Sequence, residues 1–129
     1  MSQLDSTLAR WIVKEGVNSF DASMLSEQMR KEVFTSAGLL FFRQNNYRDA
    51  ISCLQIAGNK EVLCELGDEL MEINRFREAA LAYIPTKDKK RLDKVAAICA
   101  KEGEYKLALE AYKASGNIEM ASFINKNLY

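Results

Sequence analysis

The residues best suited to chemistry are three thiols, a row of carboxylates and a run of cations. Cys53, Cys64 and Cys99 are the only cysteines, and the chain contains no histidine. Without histidine the usual zinc ligand, the Ser-His and Cys-His nucleophile pairs and the commonest acid–base group are all missing. No CxxC brings two thiols together. Cys53 and Cys99 fall at apolar packing positions, whereas Cys64 does not. Glu61, Glu65, Asp68, Glu69 and Glu72 recur at helical spacing and share one face. A carboxylate-bridged metal pair would add Glu-x-x-His, which this chain lacks, so a solvated acidic face is expected. Lys87, Lys89, Lys90, Arg91 and Lys94 form a basic stretch after Pro85. It reads either as a phosphate-binding patch or as a solvated turn and first helical turn. The six glycines stand singly, so no phosphate-cradling loop is formed. No metal, cofactor or catalytic residue is expected.

Composition narrows the role further. The chain has 129 residues, 18 basic and 18 acidic, with zero formal charge. Dedicated nucleic-acid and anionic-membrane binders carry excess Lys and Arg, so the neutral balance argues against both. The longest apolar run, Ala79 to Ile84, is far short of a membrane span. The first residues are polar and lack a signal-peptide apolar region. Three cysteines without a close pair fit a reducing cytoplasmic compartment.

The elements that would position any site repeat. Tyr47, Phe76 and Tyr105 are spaced by 29 residues. Ala50, Ala79 and Ala108 follow each by three, and Leu54, Tyr83 and Tyr112 by seven. Asn45, Asn74 and Gly103 precede each aromatic by two. Further back stand Phe41, Leu70 and Cys99, then Gly38, Gly67 and Ala96, then Ala37, Leu66 and Val95. Two repeats close on Gly58-Asn59 and Gly116-Asn117, and the middle one has Lys87-Asp88 there. Small residues at 38, 67 and 96 allow two helices to approach closely. Asn and Gly tolerate the left-handed conformation at a helix end. Each repeat therefore reads as helix, tight turn, helix.

This pattern resembles the tetratricopeptide repeat. Residues 37–57, 66–85 and 95–114 carry its order of small residue, large apolar residue, turn, aromatic, Ala and aromatic. The period is 29 rather than 34, and the Asp-Pro that joins typical repeats is missing. Short periods of this kind are similar to the irregular solenoids of coat, clathrin-type and intraflagellar-transport proteins. The resemblance implies an all-α, right-handed α-solenoid of about three helix-turn-helix repeats. A single domain over 1–129 is expected, with an N-terminal docking segment 1–33, repeats 34–62, 63–91 and 92–120, and a capping helix 117–129.

Apolar spacing predicts helices over 5–15, 22–44, 47–57, 60–73, 76–84, 88–102, 105–114 and 117–127. The second is either one long helix or two with a kink near residue 31. Asp5, Ser6 and Asp21 are candidate N-caps, Gly16 a terminator. Leu4, Leu8, Trp11 and Ile12 share one face. Trp11 is the expected anchor against Leu39, Leu40 and Phe42, with a partner protein as the other possible cover. Glu61, Glu65 and Glu72 lie one repeat from Lys90, Lys94 and Lys101, which predicts an acidic row beside a basic row.

The resemblance implies a non-catalytic protein–protein interaction module. Its concave groove maps to Leu39, Phe42, Arg43, Asp68, Met71, Glu72, Ala97, Ala100 and Lys101. A mixed apolar and charged groove suits a peptide or amphipathic helix. The Lys and Asn pattern by which some family members clamp a terminal carboxylate is missing, since Thr35, Leu39 and Asp68 stand there. A nucleic-acid-binding helical repeat is the alternative, and a regulatory subunit of a larger assembly or an enzyme a third.

Overall fold

The computed structural model describes residues 3–128. Among these there is no strand. Eight helices follow in order: α1 (Gln3–Glu15), α2 (Glu27–Arg43), α3 (Tyr47–Ala57), α4 (Lys60–Glu72), α5 (Phe76–Tyr83), α6 (Lys89–Lys101), α7 (Tyr105–Ser115) and α8 (Ile118–Asn127). The chain divides into two compact units after Val62, a line that falls inside α4.

In the first unit α1 packs on α2. Asp5, Ala9 and Ile12, spaced i, i+4 and i+7, are its buried residues. This corrects the expected anchor. Leu4 and Trp11 are exposed, Trp11 by 42%. The indole meets the Phe20 ring edge-on, with centroids 6.0 Å apart. The apolar side chains of α1 thus divide between two faces a third of a turn apart, and the smaller Ala9–Ile12 face is the one that fits against a helix. Asp5 and Ser6 lie inside α1 rather than capping it.

The predicted helix over 22–44 also starts later. Asp21 caps only a single 3-10 turn, Ala22–Met24. The chain is then extended at Leu25 and Ser26, and the Ser26 hydroxyl accepts from the Met29 N–H to open α2. A serine that satisfies an orphan N–H competes with continued helix, so the break sits there. From Val33 onward α2 buries Val33, Phe34, Ala37, Gly38 and Phe41. Gly38 sets its distance to α3. A Cβ there would lie 3.0 Å from Leu54 Cγ and 3.1 Å from the Ala50 carbonyl oxygen.

The turns repeat in detail. After α2, Asn45 takes φ 61°, and the Asn46 and Asn45 N–H groups donate to Phe41 O and Phe42 O. After α4, Asn74 takes φ 60° with Arg75 and Asn74 donating to Leu70 O and Met71 O. After α6, Gly103 takes φ 83° with Glu104 and Gly103 donating to Cys99 O and Ala100 O. Each turn satisfies two carbonyls that the helix end leaves open.

The second unit applies the same close approach. At Gly67 a Cβ would overlap Cε1 and Cδ1 of the Tyr83 ring, so only glycine admits the ring between α4 and α5. In sequence order α5 packs on α6, α6 on α7 and α7 on α8. Ala79, Ala80, Ala82, Leu92, Val95, Ala96, Ala108 and Ala111 are fully buried, giving this core an alanine-rich centre. Pro85 lies in a 3-10 turn, Ile84–Thr86, that closes α5.

Candidate interaction surface

The starts of α4, α6 and α8 are each held by one side chain. Asn59, Asp88 and Asn117 accept from the N–H groups of Val62, Arg91 and Met120. Residues Gly58, Lys87 and Gly116 before them are all left-handed, with φ 67°, 60° and 80°. The two asparagines reach further. Asn59 Nδ2 donates to Thr35 Oγ1 across 24 residues, and Asn117 Nδ2 to Asp93 Oδ1 across 24. Asn59 thereby ties the start of α4 to α2, and Asn117 the start of α8 to α6. Ser115 adds a hydroxyl bond to the same Asp93 oxygen, 2.7 Å.

The expected groove residues lie on α2, α4 and α6. In the first unit Leu39 is exposed and lines a depression of about 430 Å³ with Gln28, Glu32, Thr35 and Asn59. Phe42 is half-buried, its ring 5.4 Å from that of Tyr47, and Arg43 is exposed. In the second unit Met71 and Ala100 are half-buried, while Glu72, Ala97 and Lys101 are exposed. Asp68 differs from the rest because its carboxylate is already occupied. It accepts from Arg91 Nε and Nη2 at 2.9 Å each and from the Tyr83 hydroxyl at 2.6 Å. Arg91 Nη1 also donates to Asp88, 2.7 Å. Arg91 is thus a fork that joins α4 to the start of α6.

The electrostatics follow from these bonds. The Arg91 guanidinium holds the Asp68 carboxyl below its usual range, and the Tyr83 hydroxyl adds to this against a partial desolvation. Burial, then the Asp68 bond, raises Tyr83. The predicted rows of charge are not what joins these helices. Glu65 and Glu72 form no ion pair with Lys94 or Lys101, and the link is Asp68 with Arg91. Long exposed side chains lose rotamer freedom when paired, whereas the planar fork of Arg91 makes two bonds to one carboxylate at once. The sequence pattern places Asp68 in the groove and Arg91 in the basic stretch, and the bonds between the two join those separate readings. A signal was available: the repeat equivalents of Asp68 are Leu39 and Ala97, and those of Arg91 are Val62 and Met120. Opposite charges replace uncharged residues in one repeat only.

The other candidate groups are quiet. Burial pushes the Cys53 thiol up to about 12, with Asp49 adding to it, and the Cys99 thiol up to about 11, with Glu104 adding. Both stay protonated near neutral pH, which removes the nucleophilic form. Cys64 is half-buried. In the basic stretch Lys89 pairs with Asp93 and Arg91 with Asp68 and Asp88. No group of three or more His, Cys, Asp or Glu among the described residues could hold a metal ion. No helix among them is long and apolar enough to cross a membrane. Compared with known protein families, curated proteins and solved structures, the chain matches none.

Proposed function

We propose that the chain is a non-catalytic protein-interaction scaffold, a tetratricopeptide-like right-handed solenoid of about three helix-turn-helix repeats. The first helix of each pair, α2, α4 and α6, presents its exposed residues to a peptide or amphipathic helix of another protein. One observation carries this reading: the same backbone devices recur every 29 residues. Left-handed residues at 45, 74 and 103, left-handed residues at 58, 87 and 116 and side-chain caps at 59, 88 and 117 make one unit used three times. A repeated unit of this size buries its apolar faces only by stacking, and stacking leaves long continuous surfaces. Three free thiols suit a reducing, cytoplasmic compartment.

The surface is tested by substituting its half-buried apolar positions. Affinity capture from the native extract compares the wild type with Phe42→Glu and Ala100→Trp, each checked for unchanged helix content by circular dichroism. Ala100→Trp is expected to block the partner. Lys101→Glu, at the rim, is expected mainly to slow association at low salt. Retention of every interactor by both apolar variants removes the assignment. A low-salt gel shift covers the nucleic-acid alternative, and a retained nucleic acid would replace the protein partner in this reading.

A further inference from the structure

In the second unit α8 buries Ala121 and Ile124. At 3.6 residues per turn the side of the helix opposite that pair carries Glu119, Phe123 and Lys126, spaced i, i+4 and i+7. All three are exposed, Phe123 by 52%, with Met120 beside it. A solvated helix face normally carries polar residues there. Phe123 contributes little to the packing of its own unit and keeps a large apolar surface in water. Glu119 in the first turn and Lys126 in the last complement the helix dipole, but that leaves the phenyl ring between them unexplained. Neither charge is ion-paired among the described residues.

The order acid, aromatic, base is complementary to itself when the helix is turned end for end. Two α8 helices laid antiparallel about a two-fold axis near residue 123 bring Glu119 of each copy to Lys126 of the other. Both phenyl rings then meet at the axis. In a two-fold interface residue i contacts j and j contacts i, and the spacing of seven residues satisfies that condition with opposite charges. We propose that the outer face of α8 is a self-association surface, through which two copies of this chain pair antiparallel with Phe123 at the centre and two Glu119–Lys126 bridges at its ends.

The contact is short. A helix of 10 residues spans ~15 Å, less than most stable interfaces need, so the pairing is weak and concentration-dependent. Sedimentation equilibrium of the full chain between about 10 μM and 1 mM, where weak interfaces titrate, should show the mass rise from 14.6 kDa towards its double. Phe123→Glu should weaken association about tenfold or more. Glu119→Lys and Lys126→Glu should each weaken it about threefold or more, because like charges then face each other. An equal mixture of those two charge variants should associate within about twofold of the wild type, since a mixed pair regains both bridges. Charges that serve only the helix dipole give no such recovery, because mixing changes nothing within either chain. A wild type that stays monomeric over the whole range, association untouched by Phe123→Glu, or a mixture no better than its components would each overturn the proposal. So would loss of association on Trp11→Glu with Phe123→Glu unaffected, which would move the surface to α1.

Discussion

At Gly67 the absence of a side chain decides how α4 and α5 meet. The Tyr83 ring fills that space, is 2% exposed and is held by its bond to Asp68. Gly67→Ala should therefore destabilise by about 1–3 kcal/mol by overpacking, despite the better helix propensity of alanine; urea unfolding checks this. Asp68 carries the second expectation. Arg91 holds its carboxyl low in the folded state, so folding favours the ionised form. That stability is complete above the ordinary carboxyl value near 3.9, and it drains as pH falls below that value towards the lower folded one. Asp68→Asn should lose about 1 kcal/mol at pH 7, a modest figure because the Arg91 and Asp68 side chains are 39% and 45% exposed. The gap between the two proteins' unfolding midpoints should close towards pH 3. Packing residues such as Gly67 and Tyr83 were legible because they recur. The Asp68–Arg91 pair joins residues 23 apart and shows in the sequence only as opposite charges where the equivalent positions are uncharged.

Each helix end obeys short-range rules, and one of them is strained. Gly58, Lys87 and Gly116 hold the same left-handed conformation, but Lys87 carries a side chain there. Lys87→Gly should raise stability by about 0.5–1 kcal/mol, as removing a Cβ from a left-handed position relieves more than the added chain freedom costs. An unchanged or lower melting temperature would show that Pro85 and Thr86 already relieve that position. The expected α1 face needs a test of the corrected register. Ile12→Ala should cost about 2–5 kcal/mol as a buried truncation, while Trp11→Ala, at a site 42% exposed, should cost clearly less. The periodicity of α1 showed an amphipathic helix but left two adjoining apolar stripes, and periodicity cannot choose between them. Similarly, the apolar spacing from Leu25 to Phe41 runs through Ser26 unbroken, so the cap that starts α2 was hidden by the pattern around it.

For the molecule as a whole, α1 is the cover of α2, so its removal has consequences beyond lost contacts. Deleting residues 1–20 should uncover apolar surface on α2 and produce association in light scattering beyond that of the full chain at the same concentration; a deletion that associates no more than the full chain and is equally stable would show that α1 covers nothing essential. Zero net charge leaves little repulsion to oppose such association. Helicity, the places where most helices end and the positions that recur are all written in the local sequence. Those features rest on interactions between residues three to seven apart, such as the Asn45 and Asn74 turns and the caps at Asn59, Asp88 and Asn117. The burial of Ile12 rather than Trp11 and the pairing of Arg91 with Asp68 come from packing between separate helices. Both choices depend on the shape and charge of a surface supplied by a distant part of the chain, and spacing along one helix carries no record of that surface.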